Sequence, residues 1–408
     1  MKYIIILGDG MADRPVKALD YHTPLQVAYT PAFDFIARNG KTGLLKTIPE
    51  GFKPGSEIAN MSILGYDVTT SFEGRGSLEA ASIGYDLRAD EMAMRCNIIS
   101  VSDEGLINNH HGGELTTTEG HELIKFLQKH LGNDRIKFIP GTQYRHLLII
   151  HNADKNIFCN PPHDFPGKQW CELLTKPVND SPLAQETSQL INNLILDSYK
   201  ILEQHLLNKQ RKKHGLPLAN IIWPWSPGYR PNMEKFSSRF PTVKKGAVIS
   251  AVDLIKGIGR YAGFDIIHVE GATGLYNTNY EGKTQAAINA LKENDFVFLH
   301  VEATDEASHD GDQQLKIKTI QYLDSRIVKP IIDELKSYDT PVRVALLPDH
   351  PTSVESRLHL SDPVPFAIWG TDIIPDGITS YSENDCAGGA YGVIEWSEFM
   401  DIFINSKN

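Results

Sequence analysis

Short runs that are apolar on both faces constrain this chain more than any other feature. Phe296 to Val301 (FVFLHV) is one, Val342 to Leu347 (VRVALL) a second, and Phe366 to Trp369 a third. Between the first two, Lys316 to Leu335 carries Ile317, Ile320, Leu323, Ile327, Ile331 and Leu335 at helical spacing. Strands with no in–out alternation, separated by an amphipathic helix, predict a parallel sheet covered by helices on both faces. Tyr3 to Leu7 has the same character and should join that sheet, far as it lies from the others. Something must therefore be inserted between them. The middle, from about Phe72 to Lys245, reads differently. It holds loop-rich segments such as Asn160-Pro161-Pro162-His163-Asp164 and Trp223-Pro224-Trp225-Ser226-Pro227-Gly228. It also predicts one long helix, Ala184 to Lys213, whose basic end (Lys209, Arg211, Lys212, Lys213) reads as a solvated terminus facing the helix dipole. The expected fold class is α/β: residues 1–72 and 245–408 form one domain and residues 73–244 an inserted α+β domain.

A chain of 408 residues has room for two cores of this kind. The net charge of −11 argues against a primary role on nucleic acid, which needs a basic face. It does not argue against a small phosphorylated substrate, because metals and a few arginines make a site locally positive. Cys96, Cys159, Cys171 and Cys386 are widely separated, so neither a zinc ribbon nor a disulfide framework is expected, and a reduced cytoplasm is the economical setting. Tyr3 to Leu7 is too short for a signal peptide, and no stretch approaches the roughly 20 apolar residues of a membrane span.

Four local signals follow predicted strands, where α/β proteins keep their chemistry. Asp9 stands in Leu7-Gly8-Asp9-Gly10. Ser56, in Pro54-Gly55-Ser56-Glu57, opens a predicted helix through Ala59, Ile63 and Leu64. Glu302 to His309 (EATDEASH) follows FVFLHV. Pro348-Asp349-His350-Pro351 follows VRVALL, with His359 shortly after. Each alone has an ordinary alternative: an Asp after a strand or a Ser before a helix is commonly a cap. Asp305 and His309, four apart, share a helical face and could simply bond each other. Together they are suitable ligands for Zn²⁺ or Mn²⁺. Two such ions roughly 4 Å apart could clamp the attacking and leaving oxygens of an in-line displacement. A serine at a helix start is then the nucleophile. Asp9, Ser56, Asp349 and His350 could form one ligand set and Asp305, His309 and His359 the other, a division that spacing leaves open.

At these residues the chain resembles the alkaline phosphatase superfamily, and within it the archaeal-type, cofactor-independent phosphoglycerate mutases. The likeness runs along nearly the whole chain. It includes LGDGMADRP (7–15), PGSEIANMSILGYD (54–67), FEGRGSLEAASIG (72–84), RCN (95–97), PGTQYRHLL (140–148) and PPHD (161–164). It continues through KGAVISAVDLIKGIG (245–259), VEGATGLYNTNYEGK (269–283), HVEATDEASHDGD (300–312), LLPDHPT (346–352) and HLSDPVPF (359–366). The resemblance implies an alkaline-phosphatase-like, mostly parallel sheet sandwiched by helices, with an inserted domain. It implies a glycolytic isomerase that interconverts 3-phosphoglycerate and 2-phosphoglycerate through a phosphoserine at Ser56. It also implies two divalent ions, Mn²⁺ first, with Zn²⁺ or Mg²⁺ possible, on the two ligand sets above. The end segments become the metal-binding catalytic domain and residues 73–244 the substrate-binding domain. Substrate-binding candidates are Arg75, Arg95, His110, Arg145 and His163. Arg75 lies between two glycines, where backbone can approach a phosphate closely. Arg95 and Arg145 could clamp a phosphate or carboxylate with paired donors, or form structural salt bridges. Where family members carry a Gly-His-Ile segment, this chain reads Asn109-His110-His111-Gly112-Gly113-Glu114-Leu115. That departure bears on the acceptor and keeps two alternatives in view, a homoserine kinase with the same phosphoserine chemistry and a metal-dependent phosphatase. A metal-binding protein without catalysis is the reading from another class, and an intact Ser56 within the full set of seven ligand candidates opposes it.

Overall fold

A computed structural model describes residues 1–405; residues 406–408, the end of the predicted C-terminal segment, lie outside the described residues. The chain forms two compact units, one of Met1–Phe72 with the chain from Asn232 onward, the other of Glu73–Pro231.

In the first unit the described residues form an eight-stranded sheet: β1 (Lys2–Gly8), β2 (Gly40–Lys46), β3 (Gly246–Ile249), β4 (Asp265–Ile267), β5 (Phe296–Val301), β6 (Val342–Leu347), β7 (Val364–Gly370) and β8 (Gly392–Glu395), in the order β4-β3-β5-β1-β6-β7-β2-β8. Tyr3 to Leu7 takes the centre, parallel to β5 on one side and β6 on the other. Successive side chains alternate between faces. Ile4, Ile6, Val297, Leu299, Val344 and Leu346 share one core with Phe33, Ile36, Tyr280, Ile320 and Ile331 from covering helices. On the opposite face Phe296 stacks near Phe236 and Phe264, and Tyr3 near Phe403. Burial on both faces explains the continuous apolar runs. One strand departs from expectation. β7, the third apolar run, lies antiparallel to both β6 and β2, because the chain returns from β6 without a crossover helix.

The second unit is built on an antiparallel sheet. Glu91–Val101 lies between Arg145–His151 and Ile221–Gly228, and Ile136–Thr142 flanks Arg145–His151. Helices Thr117–Leu131 and Pro182–Leu202 cover one face through Leu123, Leu127, Ile191 and Ile195. The short helix Arg75–Ser82 lies on the other, where Ala80 meets Ala93 and Leu147.

Three expectations change. Residues 232–244, read as part of the insertion, pack with the first unit: Phe236 is buried 4.8 Å from Phe296 and 5.0 Å from Phe264, ring to ring. The predicted helix over 184–213 is two helices, Pro182–Leu202 and Leu206–Lys213, with His205 capping the second by accepting from Leu207 N–H. Its basic end is not wholly solvated. Arg211 is 5% exposed and donates to Pro217 O, Glu119 Oε1 and the carbonyls of Gly112 and Gly113. A guanidinium has five donors, and carbonyls that a tight turn leaves unpaired can recruit it from the surface. No helix among the described residues is long and apolar enough to cross a membrane.

Candidate active site

Because β5, β1 and β6 are parallel neighbours, their carboxyl ends deliver three loops to one place. Asp9 follows β1, Glu302 and helix α2 (Ala303–His309) follow β5, and Asp349-His350 follows β6. The fourth contributor is helix α1 (Ser56–Ile63). Gly55 occupies its cap position, so the Ser56 hydroxyl is not spent on capping. That hydroxyl lies 3.4 Å from Asp9 Oδ2 and 3.3 Å from His350 Nε2. Gly10 allows this convergence: at φ +60 it brings its backbone against Asp305, where a Cβ would stand 2.4 Å from Asp305 Oδ1.

Asp305 and His309 share a face of α2, as their spacing predicts, with Asp305 Oδ2 and His309 Nε2 3.1 Å apart. His359 Nε2 stands 2.9 Å from His309 Nε2 and 3.6 Å from Asp305 Oδ1. His309 Nδ1 lies 2.9 Å from the carbonyl of Arg357, a residue held in the left-handed region at φ 61. That contact aims Nε2 inward. Burial alone would raise Asp305, but hydrogen bonds from His309 and His359 carry it well below the usual carboxylate range. The same hydrogen bond pushes His309 up to about 9. Three donors converging on one point can be served by a proton or by a divalent cation.

On the other side, Asp9 Oδ1 is 3.6 Å from His350 Nε2, and Asp349 Oδ2 is 3.4 Å from it. Burial, then repulsion from Asp349, Glu302 and Asp305, raises Asp9 well above its ordinary value. Asp9 Oδ1 is wholly buried with no hydrogen-bond partner. An orphaned carboxylate oxygen amid three more carboxyl groups is the environment a bound cation resolves. These donors therefore fit divalent ions on their own chemistry. Asp9, Asp305 and His350 also form one cluster of donor atoms within 4.8 Å, so Asp305 reaches towards both proposed sets.

Five nearby residues touch these groups although the sequence assigned none of them a role. Asn60, one turn into α1, donates to Ser56 O and to Asp349 Oδ2. His300 lies 2.9 Å from Asp9 Oδ2 and is fully buried within β5; burial lowers it to about 3. Glu302 lies 3.7 Å from His300, and burial raises it to about 8. Thr304 donates to the Asp9 carbonyl. Thr352 bridges Asp305 and His350. His300 left a trace as the polar interruption in FVFLHV, and Glu302 and Thr304 stood in the segment Glu302 to His309 without a role of their own.

The remaining candidates gather within the second unit. Arg95 lies 3.1 Å from Glu79 and places its guanidinium 4.6 Å above the Trp225 ring. Burial lowers its pKa, Glu79 opposes that, and Arg75 and Arg145 lower it further, so both of those guanidiniums lie near that of Arg95. The Nε of each is buried without a partner. The His110 and His163 rings are 6.0 Å apart, and Trp225 lies 5.3 Å from His163. Burial holds both imidazoles below their ordinary value. Arg95 thus makes the structural salt bridge its alternative foresaw, yet keeps an unsatisfied donor, as Arg75 and Arg145 do.

Fold and site together define an α/β protein with a buried carboxylate–imidazole cluster, suited to divalent cations, beside a serine at a helix start. Comparison with known proteins narrows this. The family described as 2,3-bisphosphoglycerate-independent phosphoglycerate mutase matches residues 37–208. A Methanosarcina mazei protein of that name is 45% identical over the full length of both chains. A Geobacter sulfurreducens protein named as a probable one is 40% identical over 99% of this chain and 100% of its own. Among solved structures, a Pyrococcus horikoshii protein superposes with TM-score 0.82 at 31% identity, covering 99% of this chain and 96% of that one. The cofactor-independent phosphoglycerate mutase of Thermoplasma acidophilum does so with TM-score 0.68 at 26% identity, over 99% of each. The chain belongs to the 2,3-bisphosphoglycerate-independent phosphoglycerate mutase family.

Proposed function

We propose that this protein interconverts 3-phosphoglycerate and 2-phosphoglycerate, a glycolytic step, with Ser56 as the transient phosphoryl carrier. The observation that carries the reading is the Ser56 hydroxyl, free of capping duty and within 3.4 Å of Asp9 and His350. Ser56 Oγ gives up its proton and attacks phosphorus, the bond from phosphorus to the substrate oxygen breaks, and that oxygen takes up a proton to become a glycerate hydroxyl. The retained glycerate reorients, and its other hydroxyl attacks the phosphoserine to regenerate Ser56. Two divalent ions, Mn²⁺ foremost, would be held by Asp9, Ser56, Asp349 and His350 and by Asp305, His309 and His359. Bound there, they would lower the pKa of the serine hydroxyl and neutralise phosphoryl charge. Arg75, Arg95, Arg145, His110 and His163 of the second unit would bind the substrate carboxylate and phosphate. Relatives named as mutases along the whole chain support the substrate pair. All four cysteines are free thiols, in keeping with a cytoplasmic setting.

The deciding assay supplies Mn²⁺-loaded enzyme with 3-phosphoglycerate alone and, separately, with ATP and homoserine. Formation of 2-phosphoglycerate without nucleotide or bisphosphoglycerate is expected. Product from the second mixture only would replace the mutase with a kinase, and release of inorganic phosphate alone would replace it with a phosphatase.

A further inference from the structure

We infer that Thr352 is a positioning residue that joins the two proposed metal-ligand sets and sets the tautomer of His350; the inference rests on the two-metal reading above. Thr352 is fully buried just beyond β6. Its Oγ1 lies 2.6 Å from Asp305 Oδ1 and 3.1 Å from His350 Nδ1. A hydroxyl has one hydrogen. An ionised carboxylate can only accept, so that hydrogen goes to Asp305, and Thr352 must then accept from His350. The hydrogen of the neutral imidazole is thereby held on Nδ1. The lone pair is left on Nε2, the nitrogen that faces Ser56 Oγ at 3.3 Å and Asp9 Oδ1 at 3.6 Å. One side chain thus orients a candidate ligand from each set.

The backbone of Thr352 is pinned as firmly as its hydroxyl. Its N–H donates to Ala12 O at 3.1 Å. Its carbonyl accepts from Lys316 Nζ at 2.6 Å. That ammonium is wholly buried and also donates to Ala12 O at 3.0 Å and Asp13 Oδ2 at 3.1 Å, which uses all three of its hydrogens. Lys316 therefore ties the loop after β1, which carries Asp9, to the loop after β6, which carries Asp349 and His350. Loading of one ligand set fixes Asp305, and through Thr352 it also favours the His350 geometry the other set requires.

The test is calorimetric titration of chelator-stripped protein with Mn²⁺, comparing wild type, Thr352→Val (same volume, no hydroxyl) and Thr352→Ser. Wild type should bind two ions. Thr352→Val should lose on the order of 10- to 100-fold in affinity, while Thr352→Ser stays within a few fold. The metal-free melting temperature of each variant separates a folding defect from a positioning one. Histidine-selective ¹⁵N NMR of metal-free wild type, with His350 assigned from His350→Gln, should show the hydrogen on Nδ1. Wild-type affinity in Thr352→Val, or a hydrogen on His350 Nε2 in the wild type, would overturn the inference. If wild type itself binds no Mn²⁺, the two-metal reading falls first and this one with it.

Discussion

Ser56 is the first residue of α1, but its hydroxyl makes no cap, which separates its chemistry from its structural duty. Ser56→Ala should therefore remove turnover by at least about a thousandfold while changing stability by no more than about 0.5 kcal/mol. An enolase-coupled assay and a urea melt of the same preparation check both halves. His309 makes a second residue-scale prediction. Its pairing with Asp305 raises it to about 9 in the metal-free protein. Because this pKa is raised, the pair stabilises the metal-free fold fully below the unfolded value of about 6.5, and that contribution is lost as pH rises through about 9. A cation needs the lone pair, so binding below pH 9 must expel the proton. Mn²⁺ affinity should rise by up to about tenfold per pH unit from 6.5 towards 9 and then level off. Titration in buffers of different ionisation enthalpy should register proton release; equal affinity at pH 6.5 and 8.5 would contradict the pairing.

At the scale of elements, the segment 232–244 tests how packing decides membership. Its loop-like sequence offered no periodicity to place it, yet Phe236 is buried among Phe240, Phe264 and Phe296. Phe236→Ala should cost about 3–5 kcal/mol in the first unit, seen as a lower urea midpoint for a probe near β5. An unchanged midpoint would place Phe236 outside that core. The four central strands, β5, β1, β6 and β7, were legible, since double-sided burial writes a continuous apolar run into the sequence, whereas β2, β3, β4 and β8 were not read from it. The direction of β7 was not. Its residues are equally apolar in either orientation, and only the short return from β6 makes it antiparallel. The split of the long helix at 203–205 was hidden for a related reason, because helical spacing survives a brief interruption.

For the whole molecule, the concentration of Asp9, Glu302, Asp305 and Asp349 at one end of a buried sheet would make the proposed cations part of the stability as well as the chemistry. Exhaustive chelation should abolish mutase activity, and Mn²⁺ should restore it. Ions at a hundred times their dissociation constant should add about 2.7 kcal/mol per site, visible as a higher melting temperature. Full activity in metal-free protein, checked by elemental analysis, would remove the two-metal reading. The sequence by itself determined the four central strands of the sheet, the existence of an insertion, and the candidate residues Asp9, Ser56, Asp305, His309, Asp349, His350 and His359. Asp9, Asp349 and His350 directly follow a strand, Ser56 opens a helix, and Asp305 and His309 share the helix after β5, so local pattern is enough to place these six; His359 lies in the loop beyond β6. Only the tertiary structure decided that Asn60, His300, Glu302, Thr304 and Thr352 support them, or that Arg211 is buried. Their partners lie up to hundreds of residues away. A hydroxyl or amide acquires a direction for its hydrogen bond only when the folded chain supplies the group at the other end.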